Sequence, residues 1–186
     1  ARAVVDCGWA AIGIIWLVSA LGTKPTARRI PLAARGLHIL VLVLAWSLIF
    51  ARYFRVGFLR TRFVPEGAWA GWLGCAVAWM GFAFTVWARY CLGRNWSGMV
   101  EVKENHTLVR RGPYALVRHP IYTGLSLALL GTAVVYGDLC CLIGALLAFF
   151  EWKRKSLMEE RFMIEQFGRE YIDYRHEVKS LIPFVW

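Results

Sequence analysis

The sequence predicts an all-α, polytopic membrane protein with five transmembrane helices. Three observations carry that expectation. Of the 186 residues, 59% are hydrophobic, against 18% charged, more apolar and less charged than a soluble domain of this size. The apolar residues fall into long runs almost free of charge. The Lys and Arg between those runs gather on one side when the runs are counted as five crossings.

From Ala3 to Gly22 the only charge is Asp6, and roughly 20 residues of helix cross a bilayer core. Lys24-Pro25, Arg28 and Arg29 break this run. The second, Gly36 to Ala51, carries no charge and is closed by Arg52, Arg55, Arg60 and Arg62. The third, Gly67 to Ala88, is also uncharged and carries Trp69, Trp72, Trp79 and Trp87, side chains favoured at membrane interfaces. A polar, basic stretch follows from Arg89 to Pro120. The last run, Ile121 to Phe150, contains only Asp138. It is too long for one upright helix, and Gly137-Asp138 is a turn signal, so it reads as a tight hairpin of two helices. With that hairpin, one face carries 17 Lys and Arg and the other 5; with a single helix the split is 10 against 12. The positive-inside rule selects the hairpin, with the N-terminus out and the C-terminus cytoplasmic.

The charged tail, Glu151 to Trp186, continues the fifth helix. Met158, Phe162, Phe167, Tyr171, Tyr174 and Val178 recur at spacings near three to five, the pattern of an amphipathic helix lying on the polar stretch or the membrane surface. Gly168 is a break point within it. The reading is of a single membrane domain over 1–186, with three N-terminal spans in 1–91 and the chemistry in 92–186. The first apolar run has no clear cleavage context and more spans follow, so it does not read as a secretory signal.

The formal net charge of +10 has the look of nucleic-acid binding, but the apolar runs assign it to membrane topology, and no nucleic acid is expected. Five Cys form no C-x-x-C pair; they read as small buried hydrophobes. No metal-ligand spacing, Gly-rich phosphate loop or Ser-His-Asp set is present.

The polar stretch carries the chemistry. It presents Asn95, Glu101, His106, Tyr114, Arg118, His119 and Tyr122 where non-helical chain meets a span, and such backbone must be buried in protein or line a cavity. Arg110 and Arg111 read as plain interfacial cations, and His38 as a hydrogen-bonded structural histidine. A second cluster, Lys153, Arg154, Lys155, Glu159 and Glu160, places Lys155 and Glu159 on one helix face; on composition alone it is a basic collar and a solvated acidic turn.

Together the clusters resemble the isoprenylcysteine carboxyl methyltransferase family and its relatives among the phospholipid methyltransferases. The matching residues are Gly93-x-Asn95-Trp96, His106-Thr107-Leu108-Val109, Gly112-x-Tyr114, Arg118-His119-Pro120-x-Tyr122, Glu159-Glu160, Phe167-Gly168-x-Glu170-Tyr171-x-x-Tyr174 and Ile182-Pro183. The ordered set spans Leu92 to Pro183 and is specific, whereas Arg-His-Pro alone is weak. The resemblance implies five helices, with a cofactor pocket closed by the cytoplasmic loop and the C-terminal helix. It places S-adenosylmethionine against Glu101, His106, Thr107, Leu108, Val109, Tyr114, His119, Pro120, Ile121, Tyr122 and Glu159. It implies catalytic roles for Asn95 and for an acceptor-anchoring cation. Here that cation is Lys155 where the family has Arg, with Arg154 as the substitute; Lys cannot form the bidentate fork of Arg with a carboxylate.

The implied activity is methyl transfer to the carboxylate of a lipophilic acceptor, such as a prenylated cysteine, entering from the bilayer among membrane lipids. Two alternatives stay open: N-methylation of phospholipid head groups, which would need a base for an amine with a reference pKa near 10, and a non-enzymatic scaffold with a basic cytoplasmic face.

Overall fold

The computed structural model describes residues 1–20, 26–29, 32–93, 101–103 and 107–183, with side chains for all of these but 26–29, 32–34, 52 and 101–103. Five long helices dominate them: α1 Arg2–Ala20, α2 Leu32–Phe50, α3 Ala68–Leu92, α4 Pro120–Tyr136 and α5 Leu139–Phe167, followed by the short α6 Arg169–Glu177. The all-α expectation is met apart from one small ribbon. Strands β1 (Thr26–Arg29) and β2 (Glu101–Lys103) pair antiparallel, tying the chain before α2 to the chain after α3. No periodicity announces segments of three and four residues.

The helix ends follow local chemistry. Pro120 opens α4, where its missing N–H costs nothing. Gly137, at φ +81°, closes it, a left-handed conformation that glycine adopts without Cβ strain. Asp138 then caps α5, so the hairpin turns within two residues. Gly168, at φ +55°, ends α5 and begins α6, dividing the tail where the sequence marks a break.

The hairpin turn is fastened from outside. Phe63 N–H donates to Gly137 O at 2.9 Å, and Leu139 N–H donates to Thr61 O at 2.9 Å. Arg55 and Arg62 approach the Asp138 carboxylate at 3.6 and 3.8 Å. The arginines that close the second apolar run thus hold the α4–α5 turn.

The closest packing is between α3 and α4. A Cβ on Gly81 would stand 2.5 Å from Ala128 N, one on Gly131 2.4 Å from Ala78 N, and one on Gly124 2.2 Å from Thr85 Oγ1. Gly74 faces Gly131 O in the same way, at 2.8 Å. Small residues every third or fourth position let the two backbones touch, as in helix pairs that associate within lipid by packing. A second contact, α2 on α5, buries Ala45, Ile49, Cys141, Ala145, Ala148 and Trp152. Cys75, Cys140 and Cys141 are buried free thiols, as expected, while Cys7 is exposed.

The outward faces are apolar. Leu17 on α1, Leu40 on α2 and Trp72 on α3 are 74%, 65% and 59% exposed, too much contiguous apolar surface for water. Among the described residues, α1 and α3 are long and apolar enough to cross a membrane, with shorter apolar helices at Arg35–Phe50 and Pro120–Tyr136.

The α3–α4 seam makes a direct prediction. Gly131→Ala meets backbone that cannot yield, and overpacking of this kind costs about 1–3 kcal/mol. Thermal unfolding in detergent is expected to shift down by about 3 °C or more. Gly13→Ala on α1, where nothing lies within 4 Å of the new Cβ, is expected to leave Tm within about 1 °C.

Candidate active site

The candidate site forms where α3 ends, α4 begins and α5 continues beyond the bundle. His119 is the residue before the α4 proline and lies outside the helical region, at φ −122° and ψ 60°, since the following proline disfavours helical backbone there. A strand-like segment seals this entrance. Arg118 N–H donates to Lys179 O at 2.8 Å, His119 N–H to Ser180 O at 3.0 Å, and the Thr123 hydroxyl to Leu181 O at 2.6 Å. Residues around 179 thus run parallel to Val117.

The His119 ring lies between two successive carboxylates of α5. Its Nδ1 is 3.4 Å from Glu159 Oε2, and its Nε2 is 3.1 Å from Glu160 Oε1. Neighbours on a helix point about 100° apart, yet both reach one imidazole because its two nitrogens face opposite ways. The Tyr122 hydroxyl donates to Glu159 Oε1 at 2.5 Å.

Glu160 is the more enclosed carboxylate, its side chain 4% exposed against 23% for Glu159. Arg118 donates to its Oε1 from Nε at 3.0 Å and from Nη2 at 2.7 Å. Arg175 from α6 stands 3.3 Å from Oε2, and the Ser180 hydroxyl lies 3.4 Å from Oε1. The same Arg118 donates to Val178 O and, at 3.2 Å, to Arg175 O. One carboxylate therefore joins α4, α5, α6 and the sealing segment.

The electrostatics follow from this geometry. Burial pushes the Glu160 carboxyl up, but bonds and charge from His119 and Arg118 outweigh it and hold the group down at about 2. Burial likewise opposes ionisation of Glu159, and His119, Lys155 and Tyr122 reverse it, leaving it below the usual carboxylate range. Burial alone pushes His119 down; the two carboxylates raise it above its ordinary value. Each charge here is paired, as a buried charge must be.

Aromatic faces extend the site inward. His119 and Tyr122 stack at 5.8 Å and 11°, and Tyr122 stacks on Trp152 at 6.3 Å and 5°. Buried Lys155 sets Nζ 5.5 Å from the Tyr122 ring centre, within cation–π range. Tyr114 is buried in the turn Gly112–Ala115 and shares an apolar cluster with Val109, Ile121 and Tyr122. Burial, and then the Glu159 charge, push its phenol up. Its carbonyl accepts the Tyr174 hydroxyl at 2.5 Å, docking α6 on the polar stretch as the aromatic spacing of the tail foresees.

Of the residues expected from sequence, Tyr114, His119, Ile121, Tyr122, Lys155 and Glu159 come together. Pro120 is buried beside them, Leu108 and Val109 are half-buried, and Thr107 is exposed. Asn95 and His106 lie outside the described residues, and Glu101 is described through its backbone in β2. Arg154 is turned elsewhere: it donates to both oxygens of Glu151, at 2.5 and 2.8 Å. His38 is hydrogen-bonded, as expected, with Glu151 as its partner. No cluster of metal-ligating side chains occurs among the described residues.

Sequence reasoning missed Glu160, Arg118 and Arg175 as a unit. Glu160 carried a signal as the second acid of a pair on a helix bearing nearby cations. Nothing in the spacing of Arg118 or Arg175 marks either as its partner, 42 and 15 residues away.

Comparison with known proteins supports the resemblance. Residues 69–170 match the family described as phospholipid methyltransferase. Curated relatives named protein-S-isoprenylcysteine O-methyltransferase are 31% identical in Tribolium castaneum, over 69% of this chain and 48% of the relative. In Saccharomyces cerevisiae the identity is 33%, over 61% of this chain and 48% of the relative. The human one is 32% identical, over 68% and 47%. The chain thus spans about half the length of the curated relatives it matches. A solved structure, the eukaryotic intramembrane Ras methyltransferase ICMT (isoprenylcysteine carboxyl methyltransferase), superposes with a TM-score of 0.62 at 27% identity, covering 81% of this chain and 53% of that one.

The Glu160 cluster predicts an acid-sensitive fold. A depressed carboxyl stabilises the folded state above its unfolded pKa, 4.5, and that contribution is lost as pH falls towards about 2. The raised His119 acts oppositely: its contribution is full below 6.5 and lost as pH rises through its folded value. Denaturation in detergent from pH 3 to 9 is expected to show both limbs. Glu160→Gln removes the buried carboxylate charge that Arg118 and His119 face, is expected to cost about 3–5 kcal/mol, and flattens the acid limb.

Proposed function

Because this chain belongs to the phospholipid methyltransferase family, we propose that it is an S-adenosylmethionine-dependent methyltransferase, embedded in a membrane by five helices. Its acceptor is the carboxylate of a lipophilic substrate such as a prenylated cysteine. The curated relatives carry isoprenylcysteine O-methyltransferase names, and the solved neighbour is described as intramembrane. The lysine and arginine bias supports an N-terminus outside and a site at the cytoplasmic face.

The observation that carries the reading is Glu159, an ionised carboxylate with an accessible edge among buried aromatic rings. The donor set fits the cofactor. Glu159 accepts from Tyr122 and His119, and a carboxylate has room for further donors, so the cofactor's amino or hydroxyl groups can bond there. Tyr114, Tyr122 and Ile121 offer faces to its adenine and sulfonium. Thr107, Leu108, Val109, His119 and Pro120, with Glu101 and His106, complete the expected lining.

When bound, S-adenosylmethionine supplies an activated methyl group, so the chain's own work is positioning. A carboxylate acceptor, with a reference pKa near 3.5, is ionised at neutral pH and needs no general base. Lys155 is the cation for that acceptor, because it is buried beside Tyr122 and Arg154 is engaged by Glu151. Holding two partners in line can lower a barrier by several kcal/mol, up to roughly 7–11. An apolar groove of about 540 Å³ between α1 and α3, lined by Ile12, Ile15, Phe82, Val86, Trp87 and Tyr90, offers a path for a lipid tail. The family description keeps one second reading, N-methylation of a phospholipid head group, which would require a deprotonating residue.

Calorimetry on the detergent-purified protein tests this. Micromolar binding of S-adenosylmethionine is expected, weakened at least about tenfold in Glu159→Ala. Lys155→Leu is expected to keep cofactor binding and lower kcat/KM for a prenylcysteine acceptor about a hundredfold, the loss of one charge-assisted contact of roughly 2–3 kcal/mol. A folded protein that binds no S-adenosylmethionine would sink the reading. A rate that climbs with pH through neutrality would transfer it to the amine acceptor.

A further inference from the structure

The end of the bundle opposite the candidate site carries a second cluster of charge. It gathers round Tyr136, the last residue of α4. Arg2 and Asp6 stand four residues apart on one face of α1, and both meet this tyrosine. Its hydroxyl donates to Asp6 Oδ1 at 2.9 Å, and the Arg2 guanidinium lies 5.4 Å from the ring centre. Arg55, from the chain after α2, lies 4.7 Å from the same ring centre. The Tyr136 carbonyl is left open where the helix ends. It accepts Arg62 Nη1 at 3.2 Å and Arg2 Nη2 at 3.5 Å. Gly137 makes room for this, since a Cβ there would stand 2.4 Å from Arg62 Nη2.

Two cations therefore converge on one neutral oxygen, and like charges so placed repel. The neighbouring acids leave part of that charge open. Asp138 is buried between Arg55 and Arg62, at 3.6 and 3.8 Å. Glu66 approaches Arg62 at 3.6 Å but is 84% exposed. Arg2 is exposed and makes no ion pair among the described residues. Guanidinium forks fit the paired oxygens of a phosphate. The surroundings are those of a lipid head group. Val56 and Phe58, close to Arg55 in the chain, and Trp69 at the start of α3 are 63%, 71% and 65% exposed. Cations among exposed aromatic and apolar side chains, at the ends of apolar helices, stand at head-group level. We propose that Arg2 and Arg62 form a binding site for the phosphate of an anionic phospholipid, on the membrane face opposite the candidate active site. Asp6 has lone pairs to spare for a head-group hydroxyl and disfavours a second negative charge, so the head group is a singly charged polyol of the phosphatidylglycerol kind.

Native mass spectrometry of the whole chain in detergent, titrated with phosphatidylglycerol, tests the site. Wild type is expected to bind its first phosphatidylglycerol about tenfold more tightly than phosphatidylcholine, which carries no net charge. Arg2→Gln is expected to weaken that first step about tenfold, the loss of one charge-assisted contact, and to leave Tm without added lipid within about 2 °C. Arg161→Gln removes the same charge from an exposed position on α5 and is expected to leave the first step within about twofold of wild type. Excess inorganic phosphate is expected not to displace the lipid. Equal binding of the two lipids by wild type overturns the proposal, as does a first step that Arg2→Gln leaves unchanged. Equal weakening in Arg161→Gln means attraction by overall charge and no site. Displacement by inorganic phosphate makes a free anion the ligand, and the lipid assignment falls.

Discussion

The direct contact of the α3 and α4 backbones is the constraint on which the rest is hung. Between helices surrounded by lipid, water contributes no drive to associate, so packing must do it. Gly74, Gly81, Gly124 and Gly131 let two backbones approach to distances at which a Cβ would collide. That approach fixes where α3 ends and where α4 begins. The Gly112–Ala115 turn and His119 lie at those two ends, so the spacing of the site is set by glycines about one to five helical turns away from it.

Onto this frame the structure fastens charge. Glu160 faces Arg118, His119 and Arg175, which belong to the α4 entrance and to α6. A solitary buried carboxylate would take up a proton instead of staying charged. Here the surrounding donors keep it ionised, so the cluster is worth most as geometry: its parts can be satisfied in one arrangement only. Glu159, one residue away, shares the histidine and keeps an edge open. The paired acids divide the work, one joining the elements around it and one keeping an exposed edge.

The long elements were legible because their signals are local. Runs without charge gave the helices within a few residues, and Gly137 and Gly168 marked breaks through a preference of single residues for positive φ. The hairpin needed a count of Lys and Arg over the whole chain. Tyr114, His119, Tyr122 and Glu159 were legible as an ordered set, since they recur in family order. The β1–β2 ribbon escaped because its strands are too short for a period of two to register. Arg118 with Glu160 and His38 with Glu151 escaped for a different reason: a pairing across 42 or 113 residues leaves no mark on either partner's neighbourhood. The engagement of Arg154 was hidden likewise, as three neighbouring cations look alike until the helix shows which way each one turns.

The long reach of the Arg118 contacts has a consequence for biosynthesis. A ribosome delivers Arg118 and His119 well before Glu160, and earlier still than Val178, which lies 60 residues on. During that interval the helical hairpin can already be inserted while the mouth of α4 holds unpaired cations. The site is therefore assembled last, by residues that arrive after the frame has set.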